Sequence, residues 1–318
     1  MSVFLFDCST AQGRLELTDR DRLDLLHRMS TNDVNRLAPG EGCATVLTTA
    51  LARIIDLVVV YHRGDIVLLR SHRPDTVRAW LARHIFWQDK IKVRDVSAEL
   101  GQLELHGPGA AAIAAQLAPG AAELPVHHTR DLPGGGFVAA AASIASGNAP
   151  AFVFITPIET IPALRETILK AGEVREGDAT LYEQLRIAAG VPGPTSELTE
   201  DYIPLEVGLW DAVSFSKGCY IGQEIIARME SRNKLAKALV GLRLDAQVTS
   251  GARLFAGDSP VGSIASTSPD PDAPGNFAAI GFVKPDSAEI GMTLTACGEG
   301  ELPPSGVPAR VVVAPRRA

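Results

Sequence analysis

Residues 216–224 read Ser216-Lys217-Gly218-Cys219-Tyr220-Ile221-Gly222-Gln223-Glu224, the densest cluster of chemically capable side chains in the sequence. A thiol follows an ammonium by two positions, and glycines flank the Cys219–Tyr220 pair, giving the backbone freedom to turn tightly. Ile221, Ile225 and Met229 share one helical face, so a helix is expected to begin just after the thiol. A cysteine beside an ammonium and a helix N-terminus has its thiolate favoured, which predicts a lowered pKa and a functional Cys219, with Lys217 as its partner. The competing reading is a small buried hydrophobe. One thiol alone cannot hold an iron–sulfur cluster.

Two further features flank this segment. Downstream runs a basic series, Arg228, Arg232, Lys234, Lys237 and Arg243. It reads either as a solvated helix face or as an anion site able to hold carboxylates. Upstream, Tyr202 to Asp211 (YIPLEVGLWD) sets Glu206 among apolar residues. An acid so placed can accept two N–H groups from a heterocycle, or it can serve as a cap or an arginine's partner. Gly107-Pro108-Gly109-Ala110-Ala111-Ala112 matches G-x-G-x-x-A after a strand, a weak dinucleotide signal; a helix entered through a Gly-Pro turn is preferred. His62, His72, His84, His127 and His128 form no H-E-x-x-H pattern and read as structural or exposed.

The elements that must position these groups follow from periodicity. Helices are expected over Arg20–Met29 (capped at Thr18 or Asp19), Pro74–Phe86, Ala110–Leu117, Pro162–Ala171 and Thr180–Ala189. Strands are expected over Ala44–Leu51, Ile54–Tyr61, Ile66–Leu69, Leu103–Leu105 and Phe152–Thr156, with a hairpin-like turn at Gly134-Gly135-Gly136. After about Leu235 the pattern becomes short apolar stretches between Gly, Pro, Asp and Ser: Val240–Leu244, Val261–Ala265, Phe277–Val283 and Arg310–Val313. Such spacing reads as a small β-barrel or sandwich. The class is α+β, divided into residues 1–235 and a β-barrel over 236–318.

Bulk properties bound the function. The 318 residues suggest about two domains, and 46% apolar residues suffice for a sizeable core. The net charge of −7 counts against a whole-chain nucleic-acid footprint. Cys8, Cys43, Cys219 and Cys297 are scattered, without a C-x-x-C pair, which argues against a zinc ribbon or a disulfide scaffold, so no metal ligands are assigned. Met1 to Leu5 shows no basic region ahead of a long apolar stretch, and the apolar run Leu57–Tyr61 is far too short to span a bilayer. A soluble, cytoplasmic protein without membrane contact is expected.

KGCYIGQE at 217–224 resembles the signature of the YgfZ-type proteins, relatives of the glycine cleavage T-protein. Ser30-Thr31-Asn32-Asp33-Val34, Leu105-His106-Gly107-Pro108, Leu185 to Gly190 and Ile203-Pro204-Leu205-Glu206 are similar to segments of the same superfamily, so the likeness covers nearly the whole chain. It implies a three-part fold around a central folate site, with two subdomains in 1–235 and a C-terminal barrel. It implies tetrahydrofolate, or a one-carbon-substituted form, as cofactor, and iron–sulfur proteins or their assembly machinery as partners. Eukaryotic relatives act in mitochondrial iron–sulfur maturation. Cys219 and Lys217 inherit the presumed functional role; Glu206, Tyr220, Gln223, Glu224 and Arg228 are the expected folate contacts. Two functions stay open: assistance in making or repairing iron–sulfur proteins, or folate-dependent aminomethyl or methyl transfer. Ala188 stands where the T-protein pattern has an acid, and Leu68 to His72 lacks its asparagine signature, so glycine cleavage is not expected.

Overall fold

A computed structural model describes residues 2–145, 149–232 and 234–314. The chain folds as two compact units, one of residues 1–178 and 211–223, the other of 179–210 and 224–318.

The first unit holds eleven strands: β1 (Val3–Asp7), β2 (Gly13–Thr18), β3 (Gly42–Thr48), β4 (Ile54–His62), β5 (Ile66–Ser71), β6 (Lys92–Asp95), β7 (Leu100–His106), β8 (Thr129–Asp131), β9 (Phe137–Ala141), β10 (Ala151–Pro157) and β11 (Val174–Glu176). Its helices are α1 (Arg22–Met29), α2 (Pro74–Ala82), α3 (Ala110–Leu117) and α4 (Ile161–Lys170). The strands form a six-stranded sheet, β11-β1-β7-β10-β9-β8, and a five-stranded antiparallel sheet, β3-β4-β5-β2-β6. Only the β1–β11 pair is parallel among the described residues.

Side-chain alternation explains the layering. On β4, Val59 and Tyr61 face a core shared with Val153 and Ile155 of β10, so the two sheets pack on each other. Val58 and Val60 turn the other way, onto Leu25 and Leu26 of α1 and Val77 and Leu81 of α2. Phe152 and Phe154 of β10 likewise turn outward onto Ile113 of α3 and Ile168 of α4. Both faces of each sheet are thus covered, which is why β4 and β10 read as continuous apolar runs.

The second unit contains α5 (Ala179–Ala188) and most of α6 (Gln223–Arg232). It also contains β12 (Ala238–Leu244), β13 (Arg253–Ala256), β14 (Ser259–Pro269), β15 (Phe277–Val283), β16 (Thr293–Cys297) and β17 (Val307–Val313). These six close into a barrel in the order β12-β15-β14-β13-β16-β17, which removes exposed edges. Arg186 of α5 pairs with buried Glu197, which in turn accepts from Ser266 of β14. The architecture is therefore mixed α and β, ending in the expected barrel.

Among the boundaries that differ from the sequence reading, three have a clear local cause. Helix α1 begins at Arg22, with Asp21 rather than Thr18 or Asp19 as N-cap residue, because Asp19 takes a left-handed conformation (φ 76°) that stops the helix short. Helix α2 ends at Ala82, four residues before Phe86. There Asp89 Oδ2 accepts the Phe86 N–H at 2.9 Å while the Asp89 N–H donates to the Phe86 carbonyl, and this local turn outcompetes the helix. Helix α6 begins at Gln223, four positions beyond Cys219, after Gly222 adopts φ +85°. Its buried residue is Ile226, with Ile225 and Met229 half-buried beside it.

Candidate functional site

Segment 211–223 belongs to the first unit and is sewn to the end of α1, the residues that follow it and the end of β3. Asn32 Nδ2 donates to the Asp211 carbonyl at 3.1 Å, Thr31 Oγ1 to that of Ala212 at 2.6 Å and Thr48 Oγ1 to that of Ile221 at 2.9 Å. The Ser214 N–H donates to the Thr31 carbonyl, and the Ile221 N–H to that of Arg28. The stretch Ser30–Val34 is thus the seat of the later signature.

Lys217 is the fastening at the centre. Its buried Nζ donates to the carbonyls of His27 (2.5 Å), Ser30 (2.8 Å) and Asn32 (2.7 Å), and lies 4.9 Å from the centre of the Tyr220 ring. The first two carbonyls belong to the last turn and C-cap of α1, where the helix dipole favours a cation, and the third lies two residues beyond. Burial pulls the ammonium down to about 8, an effect opposed by Asp33. Lys217 therefore caps α1 and orders its own loop. His27, whose Nδ1 is 3.2 Å from Asp33 Oδ1 but misaligned for a hydrogen bond, is pushed below its ordinary pKa by burial and then by the Lys217 charge.

Cys219 stands exposed on this fastened loop. Tyr220 is buried, and burial raises its phenol to about 12. Gln223 is half-buried at the start of α6, while Glu224 is exposed and pairs with Arg228 one turn on at 2.6 Å. The basic series does not form one patch: Lys237 Nζ lies 4.8 Å from the centre of the Tyr202 ring, and Arg243 pairs with buried Asp270 at 2.7 Å and donates to the Ala188 carbonyl at 3.0 Å.

Glu206 lies in the second unit. It is buried; its Oε2 accepts the Ile203 N–H at 3.2 Å, and its backbone carbonyl accepts from Leu239 of β12. Oε1 has no hydrogen-bond donor among the described residues. The carboxylate is thus held by a turn and still has accepting capacity on both oxygens.

Asp56 went unremarked in the sequence reading. It is a buried acid within the apolar strand β4. Its Oδ2 accepts from Ser71 Oγ at 2.6 Å, the His72 N–H at 3.2 Å and the Arg73 N–H at 3.3 Å. Oδ1 is buried without a hydrogen-bond partner among the described residues. Burial raises the carboxyl to about 6, against the lowering pull of those donors. The signal was available: a lone acid inside Ile54–His62 demands a specific reason, since burying a carboxyl is costly. Two of its donors, Ser71 and His72, come from the stretch Leu68 to His72 that lacks the asparagine signature.

The remaining sequence candidates resolve simply. Gly107 takes φ +131°, and a Cβ there would lie 2.6 Å from the Ser2 carbonyl oxygen; one on Gly109 would lie 2.9 Å from Val3 Cγ2. These glycines admit the strand β1, which accounts for G-x-G-x-x-A without a dinucleotide. Two clefts in the first unit, of about 410 and 720 Å³, are lined by none of the residues expected to bind folate. No helix of the described residues is long and apolar enough to cross a membrane.

Comparison with known proteins bears on the family and the fold. The chain is 30% identical over 289 residues to a chloroplastic protein of Arabidopsis thaliana provisionally named a transferase, matching 89% of this chain and 66% of that protein's length. It is 28% identical over 298 residues to an aminomethyltransferase of Geobacillus kaustophilus, matching 90% of this chain and 80% of the relative. Its fold matches the crystal structure of the glycine cleavage system aminomethyltransferase T from Bartonella henselae with a TM-score of 0.82 and 21% identity, over 99% of this chain and 86% of that one. The model of the family described as the GCVT N-terminal domain matches residues 1–217, and the chain belongs to that family, within the glycine cleavage T-protein superfamily.

Proposed function

We propose that this chain is a YgfZ-type tetrahydrofolate-binding protein that assists the synthesis or repair of iron–sulfur proteins. The observation that carries the folate half is Glu206: a buried carboxylate, fixed by its own turn, with no donor to Oε1 among the described residues. Such a group suits the paired N–H edge of a reduced pteridine. Arg228, half-exposed on α6, suits a carboxylate of the glutamate tail, with Glu224 as a further proposed contact. The thiol half rests on KGCYIGQE and on the exposure of Cys219. Lys217 supports that role by holding the loop, a positioning part. Titration with tetrahydrofolate tests the first half: saturable binding is expected, weakened at least about tenfold by Glu206→Gln, equivalent to about 1.4 kcal/mol. Absence of saturable binding up to about 1 mM, a free energy of only about −4 kcal/mol, would remove it. Complementation of a strain lacking the protein tests the second half: Cys219→Ala is expected to fail, and normal rescue of iron–sulfur enzyme activity would remove the thiol's role.

A second reading, folate-dependent aminomethyl or methyl transfer, is favoured by Asp56. A carboxyl at about 6 is suited to exchanging a proton with an amine near neutrality. The relatives named aminomethyltransferase point the same way. The deciding measurement is formation of methylenetetrahydrofolate from an aminomethyl-loaded lipoyl carrier. Ala188 at the position of the T-protein acid predicts little turnover; a rate of about 1 s⁻¹ or more would make transfer the primary function.

A further inference from the structure

The turn that ends α2 leaves an aromatic pair in solvent. Trp87 is 94% exposed and Phe86 55% exposed, far beyond what a folded surface usually leaves uncovered for such side chains. The turn is built, not frayed. Asp89 Oδ2 accepts the Phe86 N–H, and the Arg28 guanidinium binds the same oxygen at 3.1 Å while lying 5.9 Å from the centre of the Phe86 ring. The Lys90 N–H donates to Asp21 Oδ2 at 2.7 Å. Both acids near the tip are thereby engaged. The exposed cations Arg83, Lys90 and Lys92 make no ion pair among the described residues. The tip is locally positive on a chain of net charge −7.

We propose that Phe86 and Trp87, flanked along the chain by the exposed Arg83, Lys90 and Lys92, form a docking surface for a protein partner that offers an apolar pocket edged by acidic residues. Tryptophan flanked by cations is the composition of an interface anchor, and the charge selects an acidic counterpart and speeds its encounter. A nucleic acid fits less well. Base stacking uses aromatics along a groove rather than at the corner of a turn, and the overall negative charge repels a polyanion. Addition of a strand at the neighbouring sheet edge is also disfavoured, because Lys92 opens the edge strand β6 and a lysine there blocks pairing. The surface adjoins the thiol loop: Arg28 holds Phe86 through its side chain and the Ile221 N–H through its carbonyl, two residues from Cys219. The inference does not depend on folate binding or on the fate of the thiol.

The test uses the full chain as bait for a random peptide library, counter-selected against the Trp87→Ala/Lys90→Glu/Lys92→Glu variant. These side chains are exposed, so the variant is expected to keep the wild-type circular dichroism and melting temperature. Enriched peptides are expected to carry an apolar residue within a run of Asp and Glu. Their binding is expected to fall at least about tenfold with Trp87→Ala alone, the size of a hot-spot loss, and to weaken with added salt. Failure to enrich over the counter-selection, enrichment without acidic bias, tighter binding of a 20-nucleotide single-stranded RNA, or self-association abolished by Trp87→Ala would each overturn the proposal.

Discussion

At the scale of single residues, the two most informative groups are both buried and charged, and they act in different ways. Lys217 supplies three donors to the open end of α1. Lys217→Met is expected to lower the unfolding free energy by about 1–3 kcal/mol, the cost of leaving buried acceptors unsatisfied. Urea unfolding measures it, and an unchanged midpoint would refute the anchoring role. Asp56 has a folded pKa of about 6, raised by burial from its ordinary 3.8. Between roughly 4 and 6 the folded state therefore holds a proton that the unfolded state has lost, and stability falls as pH rises through that window. Relative to Asp56→Asn, the wild type should lose stability from about pH 4 to 6 and level off above. A difference independent of pH would show that folding does not raise the Asp56 pKa. Ser71→Ala, which removes the 2.6 Å donor, should move the titration still higher. The sequence displayed Lys217 by its motif but hid its role, because the carbonyls it binds carry no sequence signal.

At the scale of elements, legibility followed burial only in part: β1, β2 and β9 are largely buried, yet no strand was expected there. Helix α3 appears over the residues expected, Ala110–Leu117, because an alanine run enclosed by a Gly-Pro turn and a later proline has few alternatives. Strand β4 was legible through its β-branched run. Strands β6, β8 and β11 were not, being three or four residues long and largely exposed, so no alternation shows. The early end of α2 was illegible for another reason: Asp89 acts through a turn that depends on Arg28, 61 residues away. The signature loop offers a paired test of backbone demands. Gly222 has φ +85°, and a Cβ there would lie 2.9 Å from Thr48 Oγ1 and the Thr49 carbonyl oxygen, whereas one on Gly218 would meet nothing within 4 Å. Gly222→Ala should destabilise by at least about 1–2 kcal/mol, the left-handed penalty of an L-residue. Gly218→Ala should stay within about 0.5 kcal/mol of the parent, as surface changes usually do. Equal effects in thermal melts would contradict this account.

At the scale of the whole molecule, composition indicated size and charge, and the Gly- and Pro-punctuated tail indicated the barrel. The interleaving of the two units was not visible, since it depends on contacts distant in sequence. Residues 179–210 belong with the barrel: Tyr202 stacks on Phe282 of β15 at 3.7 Å between ring centres, and Glu197 accepts from Ser266 of β14. A fragment ending at residue 235 should accordingly show fast hydrogen exchange over 179–210 while the amides of β4 and β10 stay protected. Equal protection of 179–210 in fragment and full chain would mean that this stretch does not need the barrel.

The Lys217 fastening also sets a schedule for synthesis. The His27 carbonyl waits for a donor that lies 190 residues later in the chain. On a ribosome adding about 5–20 residues per second, that interval is about 10–40 s. Throughout it the His27 and Arg28 carbonyls lack their later donors, Lys217 and Ile221, and the seat of the signature loop stands open. Nascent chains arrested before residue 217 emerges should therefore be cut by protease around residues 27–32, and chains arrested well after it should resist.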